Sequence, residues 1–338
     1  MAWYNEKGDL QDVVISTRVR FARNLDDYPF PSRLSDSLAG EIIDKVSSVL
    51  PDYSCERFSS GDKGKLRSYM EMHFISPEFM SSNRQRALVS GENERIKIML
   101  CEEDHIRIQS IVAGFEPQLA FESAVKADDL ICKSLKIGYS EKYGYLTACP
   151  TNLGAAMRVS AMLCLPGLTA RGLIEGYGKA MSKLGITIRG LYGEGSRASG
   201  YIYQISNRAS LGIAETEILK LIGDVVKNLV EAERKARQDL FDFKKDAVMD
   251  KTARSIGMLK VAHLLPSSEF ISAFSDIKMG LSLGIAEGIT DEKLSELLVA
   301  VQPGTLSLMK EGLDKEDLRD IKRAELIREA FSSVKINY

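Results

Sequence analysis

The chain has 338 residues, 44% of them hydrophobic and 27% charged, with a formal net charge of −2. That length accommodates one large domain and a smaller one, and so balanced a charge predicts neither a nucleic-acid-coating surface nor a membrane-coating one. The opening residues, Met1-Ala-Trp-Tyr-Asn-Glu-Lys7, have no apolar core of signal-peptide length, and no apolar run is long enough to span a bilayer. Five cysteines (Cys55, Cys101, Cys132, Cys149, Cys164) are scattered and never form a Cys-x-x-Cys pair. This argues against a disulfide framework or a zinc finger and predicts a reducing cytoplasm. With only His73, His105 and His263, a histidine-based metal site is not expected.

In chain order, residues 12–20 are rich in β-branched residues and read as a strand. Residues 38–50 show helical spacing. Residues 94–101 and 105–111 read as two strands of an antiparallel hairpin joined by an acidic turn, and residues 185–190 and 201–206 as a second such pair. From Glu215 onward the apolar residues Ile218, Ile222, Val225, Val226, Leu229 and Val230 recur at helical spacing, and the charged stretch 231–237 continues that helix. Only helical patterns follow. Thr290 is a predicted N-cap, with Asp291 and Glu292 favourable in the first turn, and Asp314 is a predicted cap for a last helix. The expected architecture is α+β, an antiparallel sheet flanked by helices over residues 1–240, followed by an all-helical domain over residues 241–338.

Three stretches could carry chemistry. The first is Cys149-Pro-Thr-Asn-Leu-Gly154, with Arg158 one helical turn beyond it; the others are Glu102-Glu-Asp-His-Ile-Arg107 and Arg189-Gly-Leu-Tyr-Gly-Glu194. Arg18 and Arg20 are two apart on a strand and so share a face, as do His105 and Arg107 by the same rule. Converging guanidinium groups bind phosphate oxygens and stay charged. Arg18, Arg20, Arg107, Arg158 and Arg189 together could therefore hold a polyphosphate without a Gly-x-x-x-x-Gly-Lys loop, which the chain lacks. Each arginine alone reads better as a surface ion-pair partner, so the phosphate reading depends on their joint setting. The turn at Glu102, Glu103 and Asp104 is either a solvated hairpin tip or a base with a magnesium-side carboxylate. Glu194 is a candidate second carboxylate, and two such groups could hold and aim a planar guanidinium acceptor. Cys149 reads as a nucleophile, as a thiolate touching a cationic substrate, or as an inert thiol; no histidine lies nearby in sequence to complete a hydrolase pair.

These motifs resemble the phosphagen (guanidino) kinase family. Ser16-Thr-Arg-Val-Arg20 is similar to its phosphate-binding strand, Glu102–Arg107 to its acidic loop, Cys149–Gly154 with Arg158 to its cysteine motif, and Arg189–Glu194 with Tyr203–Asn207 to the remainder. The resemblance covers roughly residues 12–230. It departs at Cys101, where the family has Asn, at Ala155-Ala156 in place of Thr-Gly, and at Met162 in place of a nucleotide-contacting His. It implies ATP and Mg2+ as cofactors, with Arg18, Arg20, Arg107, Arg158 and Arg189 on the phosphates and His73 near the adenine. Glu103 is implied as the base-like carboxylate, Glu194 as a second guanidinium clamp and Cys149 as an orienting group.

Within that family the bacterial protein-arginine kinases resemble this chain more closely. The chain starts almost directly at the phosphate-binding strand, without the helical N-terminal domain of small-molecule guanidino kinases. Arg319-Asp320-Ile-Lys-Arg323-Ala324 is similar to a phosphoarginine-binding motif; without the resemblance it would read as a solvated helix face. The implied partners are protein substrates with exposed arginines, a McsA-type activator and a ClpC-type unfoldase, in a homodimer that marks proteins for a Clp-type protease under stress. A kinase of free arginine or of another small guanidino compound is the alternative, and a non-catalytic phosphoarginine reader a third reading.

Overall fold

The computed structural model describes residues 2–58, 63–91, 94–191, 199–309, 313 and 315–338. Strand β1 (Val14–Arg23) leads into α1 (Asp36–Ser48), where Ser35 Oγ caps the Leu38 N–H and Ala39, Ile42, Ile43 and Val46 form the buried stripe. Then come β2 (Ser54–Phe58), α2 (Lys63–Glu71), α3 (Pro77–Ser81), β3 (Arg86–Ser90), β4 (Ile96–Leu100) and β5 (Ile106–Ala113). Next are α4 (Pro117–Ser134), the two-residue strands β6 (Tyr139–Ser140) and β7 (Gly144–Tyr145), β8 (Met157–Cys164), α5 (Pro166–Ala170), α6 (Ile174–Lys183), β9 (Ile186–Gly190) and β10 (Ile202–Asn207). Eight strands form one sheet in the order β2-β3-β4-β5-β1-β8-β10-β9, antiparallel at every pairing. The expected antiparallel sheet flanked by helices is thus present.

Alternation along the strands gives the sheet two faces. Val19, Phe21, Ile98, Leu100, Ile106, Ile108, Met157, Val159, Ala161 and Ile205 point to one core, shared with α1, α4, α6 and the first half of the next helix, α7 (Glu215–Val261). The opposite face is covered in two places. Leu66, Phe79, Leu88 and Met99 pack α2 and α3 over β3 and β4. Ile15, Ile111, Met162, Cys164 and Ile202 pack against the C-terminal helices. Between these two covers the second face is lined by arginines.

After α7 come α8 (Ser267–Ser282), β11 (Ala286–Glu287), α9 (Asp291–Ala300), α10 (Pro303–Met309), α11 (Glu316–Phe331) and β12 (Lys335–Ile336). The expectation of an all-helical region needs correction at one place: β11 and β12, separated by α9 to α11, pair antiparallel, and Gly288 (φ 95) passes too close to Ser333 O for a side chain. Thr290 caps α9 as expected, accepting from Lys293 N at 3.2 Å. Asp314 lies outside the described residues; α11 begins at Glu316. Helix α7 runs through the expected division at 240/241, and its one non-helical residue is Lys244 (φ −139, ψ 43).

Arg237 ties the two halves together. Its buried guanidinium meets Glu233 at 2.6 Å and donates to Cys164 O (3.0 Å), Asp12 O (3.2 Å) and Ser282 Oγ (3.1 Å). Glu233 in turn accepts from Gly167 N and Leu168 N, both at 2.8 Å. A buried charge is tolerated where it is paired and its remaining hydrogen-bonding capacity is used.

Candidate active site

Register brings the arginines together. On β1, Arg20 lies opposite Arg158 of β8, and Arg18 opposite Ser160. On the other flank Ala22 of β1 pairs with Arg107 of β5, and Arg189 of β9 lies opposite Gln204 of β10. Arg158 is therefore a strand residue, so its spacing from Gly154 in helical turns has no structural meaning. All five guanidinium groups border one cleft with two adjoining cavities, of about 820 and 560 Å³; Arg20, Arg107 and Arg189 line both.

The cluster is electrostatically crowded. Burial, then the like charges of Arg107 and Arg158, push Arg18 down to about 10, and Arg20 is lowered for the same reasons with Arg18 added. Burial and the neighbouring Arg189 and Arg107 lower Arg158. Arg107 goes the other way: burial opposes its charge, but the Glu102 carboxylate at 2.7 Å outweighs it. Among the described residues Nε of Arg20 and of Arg158 has no hydrogen-bond partner, and neither Arg18 nor Arg20 pairs with a carboxylate. Buried, mutually repelling guanidinium groups of this kind fit a polyanionic ligand that supplies the missing acceptors.

The acidic turn is built into the protein; it is not a solvated tip. Glu102 bridges Arg107 and Ser76, with both bonds at 2.7 Å. Asp104 is buried and accepts from Asn24 Nδ2 and Ala148 N, both at 2.7 Å, which fixes the loop that presents Cys149. Burial raises both Asp104 and Glu103. Only Glu103 is exposed in the cleft, where Asn152 Nδ2 donates to it at 3.4 Å and Arg107 Nη1 lies 3.6 Å away. A carboxylate whose affinity for protons is raised, yet which remains accessible, suits proton acceptance. Cys149 sits at the start of a single 3-10 turn, Pro150–Asn152, with Sγ 3.1 Å from Thr151 Oγ1, and lines the larger cavity with Glu103.

His105 corrects the expectation that it shares a face with Arg107. It precedes β5, and its ring is buried against the segment 25–29: Leu25 N donates to Nδ1 at 3.1 Å, so Nε2 donates to Pro29 O at 2.8 Å. Its role is to hold that segment. His73 lines the smaller cavity with Arg18, Met162 and Ile111. It adopts a left-handed conformation (φ 61), and burial together with the Arg18 charge pushes its pKa down to about 4, so it is neutral at physiological pH. Glu194 lies outside the described residues.

The Arg319–Ala324 motif lies on α11, and its residues line neither of the two cavities. Arg323 is buried, donating to Val301 O (2.7 Å) and Leu265 O (2.6 Å) and pairing with Asp320. Ala324 is fully buried, and Arg319 donates to Leu313 O at 3.1 Å. Asn152 and Gln204 fall inside motifs read from the sequence but were given no role there; sequence reasoning missed Asn24 and Ser76, which hold the acidic turn, and Gln302, which lines the smaller cavity. Nothing in their sequence settings distinguishes them from surface amides and hydroxyls.

Residues 40–236 match the family model for the ATP:guanido phosphotransferase C-terminal catalytic domain, and residues 245–337 that for the protein-arginine kinase McsB C-terminal domain. The chain is 38% identical over 335 residues to the protein-arginine kinase of Clostridium acetobutylicum, covering 97% of this chain and 98% of that one. It is 37% identical over 336 residues to that of Bacillus subtilis, covering 97% and 92%. Among solved structures, the duplicated taurocyamine kinase from Schistosoma mansoni superposes with a TM-score of 0.59 at 24% identity, over 70% of this chain and 35% of that one. Lombricine kinase superposes with 0.56 at 23%, over 69% of each chain. These two likenesses extend to the fold.

Proposed function

The chain belongs to the ATP:guanido phosphotransferase family, and within it to the protein-arginine kinases; from that premise we propose where and how this enzyme works. ATP lies in the cleft with its phosphates on Arg18, Arg20, Arg107, Arg158 and Arg189. An arginine side chain of a protein substrate enters the larger cavity beside Glu103 and Cys149. The observation behind this reading is the buried arginine cluster, short of acceptors, set against an acidic turn whose exposed member is a raised carboxylate.

The chemistry follows from those positions. A guanidinium nitrogen attacks the γ-phosphorus, the N–P bond forms, the bond from phosphorus to the β–γ bridging oxygen breaks, and ADP leaves. The displaced guanidinium proton goes to Glu103. Fixed guanidinium groups meet the charge developing on the phosphoryl oxygens and leaving group, and the cleft holds acceptor and phosphorus in line. When bound with ATP, Mg2+ would neutralise phosphate charge, and Glu102, beside Arg107 and next to Glu103, would be the carboxylate on its side. Glu194 would be the second carboxylate clamp on the guanidinium, and Cys149 would orient it.

Ser32, Glu78, Arg84 and Thr151 on the rim of the larger cavity are exposed, which suits a side chain presented by a folded protein. Incubation with Mg-ATP and an arginine-rich protein gives acid-labile phosphate on arginine; phosphate on serine or threonine alone, or faster turnover of free arginine in a coupled ADP assay, would sink the protein-acceptor reading.

The wider role proposed is marking proteins for a Clp-type protease under stress, in the cytoplasm, with a ClpC-type unfoldase and a McsA-type activator as partners. Arg319, Asp320, Arg323 and Ala324 form the proposed phosphoarginine-recognition segment. Support for these comes from the motif on α11 and the family. No helix is long and apolar enough to cross a membrane among the described residues. A homodimer is proposed through the C-terminal region, where the exposed apolar residues Val261, Leu264, Leu318 and Ile321 lie on stretches joined by the bond from Leu265 N to Asp320 O.

A further inference from the structure

The smaller cavity has one wall that does not come from the catalytic sheet. Besides its arginines it is lined by His73, Met70, Ile111 and Met162, by the Glu71 carboxylate, and by Gln302 of the C-terminal region. Gln302 immediately precedes α10 of the C-terminal region, is nearly fully buried, and has its amide oriented by donation from Nε2 to Leu298 O at 2.9 Å.

Helix α10 is fastened to the segment that carries His73. Glu71, the last residue of α2, accepts from Gly304 N at 2.8 Å and Thr305 N at 2.9 Å, two of the backbone donors a helix leaves unpaired at its start. Ser68 and Thr305 hydroxyls meet at 3.3 Å in the buried contact. Two residues beyond Glu71 the chain reverses through the left-handed His73, and Gln109 Nε2 holds the carbonyls of His73 (3.0 Å) and Phe74 (2.6 Å) from the sheet side. Trp3 Nε1 holds Met72 O at 3.0 Å. A turn in a sparsely populated conformation persists only when its surroundings over-determine it, and one of those surroundings is α10.

We infer that the C-terminal region completes the nucleotide site: Gln302 contacts the base or ribose of the nucleoside triphosphate, and Glu71 is a positioning residue that sets the His73 wall against α10. This rests on the cleft being the ATP site. The two contributions separate experimentally. In Gln302→Ala, KM for ATP rises about two- to tenfold, the worth of one hydrogen bond, and the preference for ATP over GTP shrinks. KM for the protein acceptor stays put.

Gly304→Ala removes no polar group, but its Cβ would lie 2.7 Å from Arg67 Cγ and 2.9 Å from Ser68 N, so α10 must move off α2. It is expected to raise KM for ATP and leave acceptor KM unchanged, as is Glu71→Gln. Arg20→Ala in the same series tests the premise. If Arg20→Ala weakens ATP while all three other variants leave its KM and the ATP/GTP ratio unaltered, the inference is overturned and the cleft assignment stands. If Arg20→Ala has no effect on ATP, the cleft assignment itself falls and takes the inference with it. Equal rises in both KM values would reduce α10 to a general stabiliser and also overturn it.

Discussion

Glu103 and Cys149 line the same cavity but make different demands on a substitution. Glu103→Gln keeps the shape and loses the proton acceptor, so kcat should fall by about 10²- to 10⁴-fold with the melting temperature unchanged. Cys149→Ser keeps a polar group beside Thr151, so it should be impaired less, and no phospho-cysteine should accumulate under mass spectrometry. His73 carries a pH consequence. Its folded value of about 4 lies below the ordinary 6.5, so the unfolded chain takes up the proton first. Its contribution is fully present above pH 6.5 and is lost as pH falls through that window toward 4. Chemical denaturation at a series of pH values should show that loss in the parent and a weaker one in His73→Gln; identical slopes would remove His73 as the cause.

The acidic turn shows how one element can serve two purposes. Glu102 is spent on Arg107 and Ser76, Asp104 on Asn24 and Ala148, and Glu103 is left facing the cleft. Three adjacent carboxylates thus have separate tasks because alternate side chains leave the turn in different directions. In Asp104→Ala two buried donors lose their acceptor, at about 1–3 kcal/mol each. The 146–149 segment should loosen with it. The expected signature is a lower melting temperature with acceptor KM rising more than ATP KM; an equal rise in both would separate Asp104 from the Cys149 loop. The arginine face follows the same logic at larger scale, since strands β1, β5, β8 and β9 each bring one or two guanidinium groups to a common cleft through register alone.

The two halves share a core. Trp3, Ile15, Ile111, Met162 and Cys164 of the N-terminal part pack with Ile256, Phe270, Phe274, Leu298 and Phe331 of the C-terminal part. Arg237, paired with Glu233, reaches Ser282 Oγ across the same boundary. Unfolding should therefore appear as a single calorimetric transition, and Arg237→Met, which strands the Glu233 carboxylate, should lower stability by about 3–5 kcal/mol for the whole molecule; two separate transitions would contradict the shared core.

Much of this was legible in the chain. The strands read at 12–20 and 105–111, the 3.6-residue pattern from Glu215 and the Thr290 cap are local consequences of residue type, side-chain period and capping chemistry, and the motifs around Glu102, Cys149 and Arg189 marked residues that border the cleft. What the sequence could not supply was pairing order and register. These decided that Arg158 faces Arg20, that Asp104 anchors a loop 44 residues away, that His105 turns from the cleft, and that Gln302 closes the cavity from the far end of the chain. Local periodicity costs no loop closure and is written in neighbouring residues; long-range contacts depend on the packing of the whole molecule, so only the tertiary structure fixes them.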